Sequence, residues 1–158
     1  MAVDAGVIPK LKEAHFRVNV AGFEQSLCEQ FNPGDRQHAI VEHHTGTQRH
    51  PSKETGNLKF TNASIKHVVP VTGADRNFWE NKAEAAINAE TSIGGLPVDY
   101  LFDFSVTIMK PNQEPSIIWE FYNAQVANLK PGNMDAAADK NLIEEVEIAY
   151  EWRRKRVL

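Results

Sequence analysis

The sequence predicts a mainly β fold (α+β), an antiparallel β-barrel or sandwich with one flanking helix. The clearest observation is the segment 100–109, where large apolar residues occupy the even positions and Asp103, Ser105 and Thr107 share the opposite face. Similar alternation recurs in several other segments, whereas one segment has the spacing of an amphipathic helix. A sheet with one dry and one wet face suits a container, a binding surface or a tube wall better than a reaction site.

The length and composition fit a single domain that spans residues 1–158, since roughly two thirds of the unfolded surface is buried at this size. The 17 Lys and Arg against 21 Asp and Glu give a formal charge of −4, which argues against binding nucleic acid through phosphate neutralisation. Cys28 is the single cysteine and cannot form an internal disulfide. No signal peptide is recognisable, and no apolar run approaches the roughly 18 residues that span a bilayer. We expect folding in a reducing cytoplasm, without membrane binding.

The first strand is predicted over residues 15–21, where apolar and polar side chains alternate, and Gly22 ends it. A less regular stretch follows, with a turn signal at residues 32–35. Residues 37–44 alternate again and predict a second strand.

A long exposed loop is predicted over residues 45–57, because this segment holds two glycines, a proline and no large apolar residue. Loops of this length inside a compact domain are usually functional or disordered, and here a loop that contacts a partner is favoured. Residues 58–71 then predict a long, strongly bent strand, since the apolar face changes partway.

The one predicted helix follows, with Thr72 or Asp75 as its N-cap and an end near Glu90. Its apolar residues fall close to one stripe: Phe78, Ala83, Ala86 and Ile87. The strand at 100–109 is expected to pair with residues 117–126 as a hairpin. Residues 142–157 favour a strand by their period of two, with a charged helix as the alternative.

Four histidines are the obvious candidates for metal ligands: His38, His43, His44 and His50. Adjacent residues on a strand point to opposite faces, and neither an HExxH motif nor a suitable cysteine completes a tetrahedral site. Solvated histidines are therefore the favoured interpretation. Since no nucleophile motif or phosphate-binding loop is found either, we predict no metal site, no cofactor and no enzymatic activity.

Several stretches occur in a recognisable order along nearly the whole chain: 16–20 with Gly22, 40–42 before Gly46, 62–65, the helix from Asp75 with 78–79, 119–124, Pro131 before Asp135, and 143–148. In this order the chain resembles the tail tube proteins of contractile phages and phage-like injection particles. That family shares its fold with the Hcp tube protein of type VI secretion.

The resemblance implies that six copies close into a ring and that rings stack into a hollow tube, in which joined sheet edges are no longer exposed. It suggests these residues for the wall of the lumen: Asn62, Ser64, Asp103, Ser105, Thr107 and Glu120. The long loop would reach the adjoining ring, with these candidate contact residues: Thr47, Gln48, Arg49, His50, Lys53 and Glu54.

The partners that the resemblance implies are further copies of the chain, a sheath protein, a baseplate or tube initiator, and a tape-measure protein in the lumen. DNA or an effector would pass without specific binding. The protein would be made in the host cytoplasm and reside in a virion tail or injection particle.

Two alternatives remain open from the residues. A monomeric β-barrel that binds a small apolar ligand is suggested by four aromatic residues: Phe102, Phe104, Trp119 and Phe121. A metal hydrolase built on the histidines is the other.

Overall fold

The computed structural model describes residues 10–11, 15–20, 23–24, 28–70 and 77–158. In chain order its elements are β1 (Phe16–Val20), β2 (Phe23–Glu24), β3 (Cys28–Asn32), β4 (Arg36–His43), β5 (Ser52–Phe60), β6 (Ala63–Val68), α1 (Phe78–Ala86), α2 (Pro97–Tyr100), β7 (Phe102–Met109), β8 (Pro115–Lys130), β9 (Ile143–Ala149) and β10 (Trp152–Val157). Neither helix in these segments has the length and apolar character needed to cross a membrane.

Strand β8 belongs to two antiparallel sheets. Its first half pairs with β7 on one side and β10 on the other, and β1 and β2 extend this first sheet beyond β7. Its second half pairs with β9, which is followed by β6 and β3 in the second sheet. In the described part of the chain this continuous structure does not close into a barrel.

The change from one sheet to the other occurs at Asn123, which has a φ of 52°. Asparagine tolerates this left-handed conformation better than most residues. Its backbone N–H donates a 3.0 Å hydrogen bond to Asp103 Oδ1, and its side-chain amide donates a 2.8 Å bond to Glu151 Oε2. Strand β7 and the junction between β9 and β10 therefore both hold the bend in β8.

The two sheets face each other across one apolar core. The ring of Phe31 in β3 meets Phe104 of β7 and Phe121 of β8, with centroids 6.2 and 5.8 Å apart. Phe104 and Phe121 stack at 4.4 Å. Helix α1 covers one end of this core, where Trp79 is buried and lies 5.7 Å from the ring of Phe102. The polar residues that alternate with these side chains therefore lie on the outer faces of the sheets.

Strands β4 and β5 form a separate hairpin, residues 36–60, which we call the arm. They pair with each other and with neither main sheet. Every residue of β4 is exposed, and so is every residue of β5 except Phe60. An isolated two-stranded hairpin is marginally stable in water, so the arm depends on anchorage at its base or on a partner.

The structure corrects the expected loop over residues 45–57, because residues 52–57 belong to β5. This polar segment shows no apolar alternation since neither of its faces meets the core, and pairing with β4 holds it extended. The bent strand predicted over 58–71 is two strands. Mutual hydrogen bonds between Asp35 and Thr61 turn the chain at residues 61–62, from the arm into the second sheet.

The predicted helix ends earlier than expected. α1 stops at Ala86 because Ile87 is extended and bridges to Gly94. The expected strand end at Gly22 and the caps at Thr72 and Asp75 lie outside the described residues. Strands β2 and β3 and helix α2 were not predicted, because each is short and none has a regular apolar period.

The C-terminal segment is extended, as predicted, and is not a helix. It forms two strands instead of the one expected. β9 and β10 are separated at residues 150–151, where the Glu151 N–H donates to the Tyr122 carbonyl. Within the described residues the predicted strands at 15–21 and 37–44 and the hairpin with 117–126 are confirmed, as is the mainly β class. The strand predicted over 100–109 is confirmed from Phe102 onward, because Pro97–Tyr100 form α2.

Candidate assembly surfaces

The outward side of the first sheet, which we call the polar face, carries a row of aligned residues: Asn19, Ser105, Glu120 and Arg154. Glu120 Oε2 accepts 2.6 Å hydrogen bonds from the Tyr122 hydroxyl and from Arg154 Nη2. Arg156 Nη2 lies 3.1 Å from Glu120 Oε1. The bonds from Tyr122 and Arg154 hold the pKa of the Glu120 carboxyl below its usual range. The face is therefore a connected polar network.

Four of the six lumen candidates lie together on this polar face: Asp103, Ser105, Thr107 and Glu120. The other two lie elsewhere. Ser64 is on the outer face of the second sheet, opposite Glu147, and Asn62 is exposed in the turn before β6. Because the sheets pack face to face, their outer sides point away from each other.

Further residues of the polar face were missed from the sequence: Arg17, Asn19, Tyr122, Trp152, Arg154 and Arg156. The alternation in β1 already places Arg17 and Asn19 opposite the buried Val18. By contrast, nothing local in the sequence aligns β10 with β8. The stack of Tyr122 on Trp152, with centroids 4.0 Å apart, depends on that alignment.

The candidate inter-ring residues all lie on the arm. The turn at its end holds Thr47, Gln48, Arg49 and His50, while Lys53 and Glu54 are exposed on β5. Lys53 Nζ lies 3.7 Å from Glu42 Oε1, and His43 Nε2 lies 3.7 Å from Glu54 Oε2. Such exposed pairs contribute little to stability, so these charges are available to a partner.

The base of the arm is anchored by Arg153, whose side chain is on the opposite side of β10 from Arg154. Its Nη1 donates hydrogen bonds of 2.8 and 2.9 Å to the carbonyls of Pro33 and Gly34. Its guanidinium lies 4.9 Å from the ring centroid of Trp119 and 5.7 Å from that of Phe60, the last residue of β5. The β3–β4 turn and the end of the arm are therefore tied to the core by one side chain.

Three groups that could carry chemistry form a row across the second sheet: Cys28, His67 and Glu144. His67 is fully buried, and its Nε2 lies 3.5 Å from Glu144 Oε1 without a hydrogen bond. Burial raises the pKa of the Cys28 thiol to about 11, which keeps it protonated and poorly nucleophilic. Within the described residues, no three His, Cys, Asp or Glu side chains are arranged to hold a metal ion.

The aromatic residues that suggested a ligand-binding barrel are packed inside the protein. Phe102, Phe104 and Phe121 belong to the core and contact one another. Trp119 is partly buried beneath Arg153 and Lys155, whose charged groups lie over its ring. These side chains stabilise the sandwich, whereas the polar face, the sheet edges and the arm are exposed at its surface.

These surfaces define a structural subunit built for assembly. Residues 12–153 match the family described as T4-like virus tail tube protein gp19, and the chain belongs to this family. The resemblance inferred from the sequence is thereby confirmed. The family consists of structural tube proteins, so the chain is not an enzyme. No curated protein sequence matches it.

Solved structures show the same fold. The chain is similar to the anti-feeding prophage tube-terminating cap, with 15% identity, a TM-score of 0.77, and coverage of 99% of this chain and 97% of that chain. It is also similar to the PVC sheath-tube complex of an extracellular contractile injection system, with 15% identity, a TM-score of 0.75, and coverage of 99% of this chain and 100% of that chain. Hcp1 from Flavobacterium johnsoniae is similar with 14% identity, a TM-score of 0.50, and coverage of 89% of this chain and 94% of that chain.

Proposed function

We propose that this chain is a tail tube subunit, six copies of which close into a ring, with rings stacked into a hollow conduit for DNA or an effector. The observation that carries the proposal is the family match over residues 12–153. The whole chain would act as one tail-tube-like domain, made in the host cytoplasm and located in a virion tail or injection particle after assembly.

The open edges of the two sheets support assembly. In the described residues, β10 pairs with β8 on one side and has no strand on the other, and β3 likewise pairs with β6 alone. Unpaired edges are templates for pairing with another chain. Joining such edges between copies would satisfy their backbone groups and build a continuous wall.

In the proposed tube the polar face lines the lumen, with Asp103, Ser105, Thr107 and Glu120 in the wall. Arg154 and Arg156 both pair with Glu120, which partly neutralises their charge. This supports passage of DNA without specific binding, because phosphate affinity grows with the number of free cations. Asn62 and Ser64 stay predictions, and they reach the same lumen only if the second sheet also contributes its outer face.

The arm would contact the adjoining ring through the turn at its end and the start of β5. Its full exposure and its lack of pairing with either main sheet support this role, since contact with another copy would stabilise a hairpin that is marginal alone. The candidate contacts are Thr47, Gln48, Arg49, His50, Lys53 and Glu54.

The proposed partners outside the tube are a sheath protein and a baseplate or tube initiator, with a tape-measure protein in the lumen. Similar solved structures come from a sheath-tube complex and from a baseplate, which supports the first two. We expect no binding of membranes by this chain.

Native mass spectrometry of the purified protein tests ring formation. We expect six-copy species and multiples of six as the protein concentration rises. A population that contains only monomers at every concentration and salt condition would contradict the proposal. A thermal shift with small apolar ligands in such a monomer would instead favour the ligand-binding alternative.

A further inference from the structure

We propose that the arm of one copy docks on an acidic, apolar surface at the α1–α2 region of a second copy. This inference rests on the proposed function and specifies the surface that receives the arm. The receiving surface, which we call the α-turn patch, consists of four exposed apolar residues and three nearby carboxylates: Ile87, Ile93, Leu96, Val98, Glu84, Glu90 and Asp99.

The apolar residues of the α-turn patch are held in place by backbone hydrogen bonds. The Asn88 N–H donates to the Ile93 carbonyl over 3.0 Å, and the Gly95 N–H donates to the Ala86 carbonyl over 2.9 Å. A side chain at Gly95 would collide with the carbonyl of Ala85, so the returning chain lies directly against α1. The turn is therefore built before any partner binds.

The apolar side chains of the α-turn patch are unusually exposed to solvent. Ile87, Ile93, Leu96 and Val98 are 64%, 68%, 66% and 81% exposed. Single exposed apolar residues are normal, but four of them within residues 87–98, on the turn after α1 and at the start of α2, indicate an interaction site. A partner that covers them must present apolar side chains of its own.

The arm supplies both an apolar and an electrostatic complement. It exposes Ile40, Val41 and Leu58, which are 55%, 44% and 46% exposed. Its charged residues are mainly cations, with four basic against two acidic side chains: Arg36, Arg49, Lys53, Lys59, Glu42 and Glu54. Four of the six histidines of the chain also lie on the arm.

The region around the α-turn patch has the opposite charge. Residues 77–101 match the arm in length and hold four carboxylates against one cation: Glu80, Glu84, Glu90, Asp99 and Lys82. Lys82 already donates a hydrogen bond to the Asp99 carbonyl. The basic arm and this acidic segment would therefore attract each other when two copies meet.

The occupant is a second copy because, within the described residues, neither strand of the arm makes extensive contacts with α1 or α2 of its own chain. β4 and β5 make their extensive contacts with each other, and the base of the arm is fixed to the core by Arg153 on β10. Repeating the contact from copy to copy is a head-to-tail arrangement, which generates an open-ended stack when the rotation between copies does not close into a ring.

Disulfide cross-linking between two single-cysteine proteins tests the contact. Both proteins carry Cys28→Ser, which removes the native cysteine. The first also carries Ile40→Cys on the arm. The second has an affinity tag and carries Val98→Cys on the α-turn patch. Docking would hold the thiols at millimolar effective concentration, so we expect the mixed dimer to form about 100-fold faster than in dilute solution. The matched control replaces Val98→Cys by Met134→Cys, since Met134 is 82% exposed and lies outside the patch.

The outcomes separate this inference from the proposed function. Tubes with rapid cross-linking to Val98→Cys and slow cross-linking to Met134→Cys support it. If tubes form but Val98→Cys and Met134→Cys cross-link to the arm at equal rates, or if neither cross-links, the inference is wrong and the proposed tube function still holds. Unmodified protein that forms neither rings nor tubes overturns both proposals.

Charge reversal provides a second test on exposed residues. We expect Arg49→Glu with Lys53→Glu, or Glu90→Lys with Asp99→Lys, to raise the concentration needed for tube formation about tenfold. A chain carrying all four changes should recover most of this loss, whereas Asp139→Lys, outside the patch, should change little. No loss in the two double variants, or no recovery in the combined one, would contradict the contact. Circular dichroism confirms that each variant is folded.

Discussion

Replacing Arg153 with methionine removes the polar anchor at the base of the arm while keeping most of the aliphatic stem. The change deletes hydrogen bonds of 2.8 and 2.9 Å to the carbonyls of Pro33 and Gly34. Hydrogen bonds from a charged donor contribute about 1.5–3 kcal/mol each, and the lost cation–π contact with Trp119 adds about 0.5–1 kcal/mol. The Tyr150 hydroxyl still donates to Pro33, and water reaches part of the site. We therefore expect a loss of about 3 kcal/mol.

The assay is urea unfolding at a concentration at which the protein is monomeric, because assembly would raise the apparent stability. Arg154→Met is the matched control, one residue along β10 and on the opposite face. Arg154 is exposed, and Glu120 keeps Arg156 and Tyr122 as partners, so this control should lose less than about 1 kcal/mol. Equal losses in the two variants would refute the anchor. Hydrogen exchange should also be faster in the arm of Arg153→Met alone.

Three further predictions concern single positions. Stabilisation by Glu120 is present above its unfolded pKa and is lost as pH falls through its lowered folded pKa. The free energy of unfolding of Glu120→Gln, measured in urea, should therefore fall less steeply with decreasing pH than that of the unmodified protein. Cys28, with a pKa raised to about 11, should react with Ellman's reagent at least about 100-fold more slowly in native protein than in urea at pH 8. Gly34→Ala should lose about 1–3 kcal/mol in urea, because φ is +74° and the new methyl group meets the Thr61 carbonyl, whereas Gly46→Ala, in open space, should lose less.

The elements predicted best from the sequence are those with one side in the core. In β7, burial of Phe102, Phe104 and Val106 enforces a period of two that is visible in the residues themselves. The first strand of the arm was predicted, but most of its second strand, β5, was missed for the converse reason. Its strands have no buried side, so residues 52–57 carry no periodic signal and are held extended by β4.

Only those residues of the candidate surfaces that alternate with core residues along a single strand could be predicted from the sequence. Asp103, Ser105 and Thr107 share a face because they alternate with core residues, and the structure places them together. The separation of Ser64 from them depends on how two sheets pack, and the ion pairs of Glu120 depend on pairing between β8 and β10. Both are long-range properties that no single segment carries.

Negative-stain electron microscopy of the purified protein, across a series of protein and salt concentrations, is the most direct test of tube assembly. We predict rings with six-fold symmetry at low concentration and hollow tubes of stacked rings at high concentration. Compact monomers under every condition, with neither rings nor tubes, would contradict it.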